Sequence, residues 1–167
     1  MKKSVLLLMV VLFSALTVHA QQDSRADVSV GYSYLREGFS NGSNANGVSL
    51  SGAGYFNDWF GVAGDFGVYH FSQAGVGVNT YTFLVGPRLS ANRGKPLSPF
   101  VQVLVGGDRL AAAGGSAKGF AWSAGGGVDL KLSSHMAFRP QFDYMGLRFS
   151  NGNVHSVRTS ISLVYRF

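Results

Sequence analysis

From Ser156 to the last residue the chain alternates: Val157, Thr159, Ile161, Leu163, Tyr165 and Phe167 fall on one side, and Ser156, Arg158, Ser160, Ser162, Val164 and Arg166 on the other. Successive side chains of an extended strand point to opposite faces, so this segment specifies a strand whose two faces meet different surroundings. Similar stripes recur at Val28, Val30, Tyr32 and Tyr34, at Phe60, Val62, Phe66 and Val68, and at Met136, Phe138, Phe142 and Tyr144. No stretch beyond the amino-terminal segment carries a helical period, and glycine, β-branched and aromatic residues recur throughout. The pattern is all-β.

Eight strands are expected: Ala26 to Leu35, Asn46 to Phe56, Phe60 to Phe71, Thr80 to Ala91, Pro99 to Gly107, Phe120 to Leu132, Met136 to Arg148 and Val154 to Phe167. Tight connections rich in turn formers fall at Asn57-Asp58-Trp59, Asn92-Arg93-Gly94-Lys95-Pro96 and Ser133-Ser134-His135. Longer ones, rich in Gly, Ser, Asn and Ala, are expected at Arg36 to Ala45, Ser72 to Asn79, Asp108 to Gly119 and Phe149 to Asn153. Strands joined in sequence by alternating tight and longer links predict an antiparallel up-and-down β-barrel.

The barrel is expected to be transmembrane. A strand of ~10 residues, rising ~3.3 Å each and tilted ~40°, covers roughly the 25 Å apolar band of a membrane barrel. A soluble sandwich would spend more charge on its polar face; here that face is mostly Gly, Ser and Ala, as a narrow lumen requires. Aromatics near predicted strand ends, Trp59, Phe60, Tyr81, Phe120, Trp122, Tyr165 and Phe167, suit two interfacial girdles.

Residues 1–20 read as a secretory signal peptide: Lys2 and Lys3 precede an apolar run from Val5 to Val18, which ends in the small-x-small pattern Val18-His19-Ala20. Residues 21–167 then form one barrel domain. The chain has no Cys, which excludes disulfides, thiolate metal sites and a lipidated cysteine. The fourteen basic residues include Lys2 and Lys3, leaving twelve against eight acidic ones in the exported part. They are scattered rather than clustered, which argues against nucleic-acid binding, and those in loops could meet anionic lipopolysaccharide.

The chain resembles the outer-membrane β-barrel family that includes the small OmpA-like and OmpX-like barrel domains. The resemblance spans residues 21–167 and rests on the strand order, Gly86-Pro87-Arg88, Gly125-Gly126-Gly127-Val128-Asp129, Arg139-Pro140-Gln141-Phe142-Asp143-Tyr144 and the closing Tyr165-Arg166-Phe167. It implies a bacterial outer-membrane location, a lipid environment that includes lipopolysaccharide, and a monomer. It also implies that the tight turns face the periplasm and that Tyr165 and Phe167 form the aromatic signal read by the barrel-assembly machinery. No peptidoglycan-binding domain, such as follows the barrel in many OmpA-like proteins, is expected.

With the apolar stripes facing lipid, parity places Asp65, Arg88, Asp129, Lys131, Arg139, Asp143, Arg158 and Arg166 in the interior as a charge network. A turn centred on Ser134 sets Asp129 opposite Arg139, with Leu130 opposite Phe138 on the lipid face. A Phe149-to-Gly152 loop sets Asp143 opposite Arg158, while Asp65 and Arg88 fall on neighbouring strands. An eight-stranded interior is just wide enough for side chains to fill it, with Gln102 and Gln141 helping.

Enzymatic chemistry is not expected. His70-Phe71-Ser72-Gln73-Ala74 superficially resembles the His-x-Ser-Asn motif of outer-membrane lipid A deacylases, but Gln73 stands where that family has Asn, and the only glutamate, Glu37, lies by the first longer loop. His19, His70, His135 and His155 are dispersed without metal-ligand spacing, and no Gly-rich segment completes a nucleotide-binding motif, so no metal or cofactor is expected. The sequence thus favours a non-enzymatic barrel serving envelope structure or surface interaction. A narrow porin-like channel for small solutes is the alternative, and a lipid A hydrolase using His70 and Ser72 a remote one.

Overall fold

The computed structural model describes residues 25–37, 44–73, 76–112, 115–149 and 152–167. The predicted signal peptide, residues 1–20, lies outside them. Eight strands follow one another: β1 (Ala26–Glu37), β2 (Asn44–Tyr55), β3 (Phe60–Gln73), β4 (Val76–Ser90), β5 (Leu97–Ala112), β6 (Gly115–Lys131), β7 (Met136–Phe149) and β8 (Gly152–Arg166). Each pairs antiparallel with its sequence neighbour, and β8 returns to β1 to close the barrel. Closure leaves no strand edge unpaired, removing the exposed backbone donors and acceptors that an open sheet carries.

The tight turns share one end with the chain's first described residues. In the β2–β3 turn Asn57 Oδ1 accepts from the amides of Trp59 (3.1 Å) and Phe60 (2.7 Å), so the side chain stands in for a backbone turn. In the β4–β5 turn Asn92 (φ 53°) and Gly94 (φ 80°) take left-handed conformations that asparagine and glycine tolerate. The Lys95 amide closes this turn onto the Asn92 carbonyl (3.1 Å). In the β6–β7 turn the Leu132 and Ser133 amides both donate to the Met136 carbonyl, at 2.9 and 3.0 Å. This sets Leu130 opposite Phe138.

At the opposite end two expected loops are corrected. β3 and β4 pair out to Gln73 and Val76, and β5 and β6 to Ala112 and Gly115, so Ser72 to Asn79 and Asp108 to Gly119 are mostly strand. Their small polar residues lack a feature that must break a ladder, and continued pairing satisfies backbone groups that a loop would leave to water. β1 and β2 pair as far as Arg36 and Asn44, and β7 and β8 as far as Phe149 and Gly152. The rest of the expected loops, residues 38–43 and 150–151, lies outside the described residues. Because β6 starts at Gly115, Phe120 and Trp122 sit well inside it rather than at its end.

The β4–β5 contact is close. Gly86 opposes Leu104 in strand register, Gly106 opposes Leu84, and a Cβ built on Gly106 would overlap the Phe83 carbonyl oxygen and press on the Leu84 Cα at 3.0 Å. Backbone atoms cannot rotate away as a side chain can. Gly106→Val is therefore expected to cost at least about 1–3 kcal/mol, the usual range for overpacking. A lowered denaturant midpoint of the refolded barrel would show it, and an unchanged midpoint would mean that the strands can separate there.

A charge-filled lumen inside an apolar wall

Strand parity divides the side chains into two sets. Outward from the barrel stand Val30, Leu50, Phe83, Val103, Phe142 and Ile161, each about half or more exposed, with counterparts on every strand. Soluble monomers rarely expose contiguous apolar surface beyond a few hundred Å². An apolar wall that runs right round a closed barrel has one stable environment, the hydrocarbon of a bilayer. Aromatic contacts cluster on this wall. At the turn end Trp59 lies 5.7 Å from Phe60, and the Tyr165 and Phe167 rings meet edge-on at 5.1 Å. Further along, Trp122 lies 5.7 Å from Tyr144.

The lumen reverses this chemistry, and its two halves differ. In the half nearer the turns, Arg166 Nη2 donates to Asp129 Oδ2 (2.9 Å), which also receives Arg139 Nη2 (2.9 Å). Arg139 reaches on to Asp27 Oδ1 at 3.2 Å, and Arg88 Nη1 lies 3.6 Å from the same oxygen. Arg88 donates from Nε and Nη2 to Gln102 Oε1 (2.9 and 2.8 Å), and Gln102 Nε2 points to Asp143 Oδ1 at 3.5 Å. Asp143 Oδ2 then receives Gln141 Nε2 (2.8 Å) and both Nε (2.9 Å) and Nη2 (2.8 Å) of Arg158. Arg158 Nη1 crosses from β8 to β3, donating to Asp65 Oδ1 (2.6 Å) and Tyr69 Oη (3.1 Å).

The result is a continuous chain of four arginines and four aspartates with no net charge. Each of these side chains is less than a tenth exposed. Such burial is tolerable because every charge has an opposite partner within reach. Phe100 supports the chain from below: the guanidinium carbons of Arg88 and Arg139 lie 4.6 and 4.9 Å from its ring centre. At the rim Arg93 rests 3.4 Å from the Tyr55 ring centre. Partial burial lowers its pKa from the usual arginine value, while Tyr55 and Asp27 draw it back up. In the other half of the lumen Leu35, Ala45, Tyr69, Leu84, Leu104, Ala121, Met145 and Leu147 pack together, beside the buried polar residues Thr80, Thr82, Asp108, Ser123 and Ser156.

Of the eight residues assigned to the interior by parity, the structure brings seven into this chain. Lys131 departs: it lies where β6 runs out of the barrel, is exposed, and donates a hydrogen bond from Nζ to the Gly94 carbonyl (3.2 Å). Parity fixes the face of a residue but not its depth. Asp65 and Arg88 do not pair either, because the register sets Arg88 opposite Gly61 and Asp65 opposite Leu84. Asp27, the hub joining Arg88 to Arg139, was missed by sequence reasoning. It occupies the same inward parity, opposite in sense to Val28 and Val30, and the rule that found Asp65 would have found it.

His70 faces outward with Nδ1 2.8 Å from Asn79 Oδ1 of β4. Ser72 follows two residues later in β3. Among the described residues no group of three or more His, Cys, Asp or Glu is placed to hold a metal ion, and no helix is long and apolar enough to cross a membrane.

A closed antiparallel barrel with an apolar exterior and an ion-paired interior defines a transmembrane β-barrel protein. The chain belongs to the outer membrane protein beta-barrel domain family, whose model matches residues 5–167, and it is a bacterial outer-membrane protein. No curated protein matches it in sequence. In fold it is similar to Neisserial surface protein A (TM-score 0.75, 15% identity, 88% of this chain and 100% of that one). It is also similar to Ail, the attachment invasion locus protein of Yersinia pestis (0.56, 18%, 87% and 100%), and to the outer membrane protein OprG of Pseudomonas aeruginosa (0.57, 13%, 89% and 99%).

Proposed function

We propose that this protein is a non-enzymatic, monomeric barrel that contributes to envelope structure or surface interaction, and that its lumen does not conduct. The observation that carries this reading is the Arg158 bridge from β8 to Asp65 of β3, set within the neutral chain of ion pairs. In an eight-stranded barrel, whose interior is just wide enough for side chains, such a bridge closes the path. A solute would have to separate buried ions to pass.

The reading extends to the rest of the chain. Residues 1–20 direct export and residues 21–167 form the barrel, with its tight turns toward the periplasm. Tyr165 and Phe167 present the aromatic pair read by the barrel-assembly machinery. At the far end Arg109 stands opposite Lys118 on the outward side of β5 and β6, both exposed. Like charges in direct opposition are unfavourable unless an anion lies against them. Lipopolysaccharide phosphates in the outer leaflet supply such an anion.

Single-channel recording on the refolded protein tests the reading. No discrete conductance is expected. Steps that shrink when Arg158 is neutralised would transfer the lumen to the alternative, a narrow small-solute channel.

A further inference from the structure

Three cations stand together on the outer wall at the end away from the tight turns. Arg109 of β5 is directly opposite Lys118 of β6, and Arg148 of β7 is opposite Phe120, two residues along β6 from Lys118. All three are exposed, on the outward parity of Val105, Phe120 and Phe142 of their own strands. Directly opposed side chains on one sheet face have Cβ atoms about 5 Å apart and diagonal ones about 7–8 Å, so the three long side chains can reach one group. On the described wall no acidic side chain answers them. The aspartates of the strands, Asp27, Asp65, Asp108, Asp129 and Asp143, are buried, and Glu37 at the end of β1 has β8 between it and β7.

A notch lies beside the cations. Gly107 takes the outward position two residues before Arg109, with Phe83 of β4 on one side and Phe120 of β6 on the other. A Cβ built on Gly107 would meet only the Gly119 carbonyl oxygen, at 3.8 Å, so neither phenyl ring covers the backbone there. Phe83 and Phe120 stand 62% and 51% exposed as the walls of the notch. Along β5 the outer face runs from Val103 and Val105 through this gap to Arg109, and along β6 from Trp122 through Phe120 to Lys118. Apolar, then aromatic, then cationic is the order in which hydrocarbon gives way to head groups. A lipid lying against these strands meets the notch with a tail and the cations with its head.

We propose that this patch is a binding site for lipid A, the phosphorylated glycolipid anchor of lipopolysaccharide, with its phosphates at Arg109, Lys118 and Arg148 and an acyl chain in the Gly107 notch. The assignment rests on the orientation proposed above, which puts this end in the outer leaflet. Arg148 adds a third cation to the phosphate contact of Arg109 and Lys118, and the notch adds a tail. A zwitterionic lipid can fill the notch equally well, but its cationic group meets the three basic side chains unfavourably. The site therefore selects by head-group charge, and the selection weakens with salt.

Trp122, two residues from Phe120 on the same face, is the reporter. The full chain carrying Trp59→Phe keeps it as the single tryptophan, and is refolded into vesicles of acyl-brominated phosphatidylcholine that carry unbrominated lipid A in both leaflets. Lipid that occupies the patch displaces the quencher. Lipid A is expected to relieve quenching with an affinity at least about fivefold above that of phosphatidylcholine, the gain one basic residue near a surface provides. Dephosphorylated lipid A should show a ratio of about one, and phosphatidylglycerol a smaller preference than lipid A. Arg109→Gln with Lys118→Gln and Arg148→Gln should abolish the preference, whereas Arg109→Lys with Lys118→Arg and Arg148→Lys should retain it. Gly107→Leu, which fills the notch and leaves the cations, should lower it.

Equal relief by lipid A and its dephosphorylated form, or a preference that survives the triple glutamine change, would overturn the site. Phosphatidylglycerol matching lipid A would overturn the choice of lipid, and an unchanged ratio in Gly107→Leu the seat of the acyl chain. With lipid A in both leaflets these results do not depend on orientation, which is read separately. Lys95→Cys places one thiol in a chain that has none, at the exposed tip of the β4–β5 turn. On intact cells it should resist a membrane-impermeant maleimide. Labelling there would overturn the orientation, and with it the assignment to lipid A.

Discussion

Arg158→Ala is expected to destabilise the folded barrel by about 3–5 kcal/mol, the usual cost of stranding buried charge by removing its partner. Against a total of about 5–15 kcal/mol for an ordinary domain, that is a large fraction. Arg158 is 1% exposed and serves Asp143 on the adjacent strand and Asp65 across the lumen. Its loss leaves both carboxylates without a cation, while Asp143 keeps the hydrogen bonds donated by Gln141 and Gln102. Unfolding in denaturant, followed by the electrophoretic shift between boiled and unboiled samples, measures the change.

The effect should be one of imbalance rather than of lost contact. The double change Arg158→Met with Asp65→Asn removes one charge of each sign, leaving three arginines against three aspartates, and Asp143 keeps the hydrogen bonds of Gln141 and Gln102. It is expected to recover much of the stability, because replacing a buried ion pair by uncharged residues of like size is often near neutral. If the double variant is as unstable as Arg158→Ala, the arginine acts through packing and the charge account is wrong.

The faces of the strands could be read from the sequence because alternation is a local property. In β8 the residues from Ser156 to Phe167 declare both faces without reference to any other strand. Neighbour pairing was legible where a short turn fixed the register, as for Leu130 opposite Phe138. What crosses the lumen was not. That Arg158 meets Asp65 depends on the stagger of β8 relative to β3, two strands that share no turn. Lys131 shows a second gap, since alternation continues past the point where a strand leaves the barrel. The loop-rich composition of Ser72 to Asn79 and Asp108 to Gly119 misled for a third reason: small polar residues are compatible with turns and with paired strands alike, and only partners on the neighbouring strand decide between them.

The wall itself makes the second strong prediction. Leu50 lies near the middle of β2, 56% exposed, with Val30 of β1 and Phe66 of β3 directly beside it. On a soluble protein, substituting so exposed a position would usually change stability by about 0.5 kcal/mol or less. On a barrel wall in a bilayer, Leu50→Arg is expected to cost about 2–4 kcal/mol, because the guanidinium must be carried into hydrocarbon, and less toward either interface. Arg36, on the same outward parity at the far end of β1, gives the comparison, since Arg36→Leu should be nearly neutral. Folding titrations in lipid vesicles measure both. A small penalty at Leu50 would mean that water reaches the middle of the wall, whereas a large one beside a neutral change at Arg36 draws the apolar band's edge between the two positions.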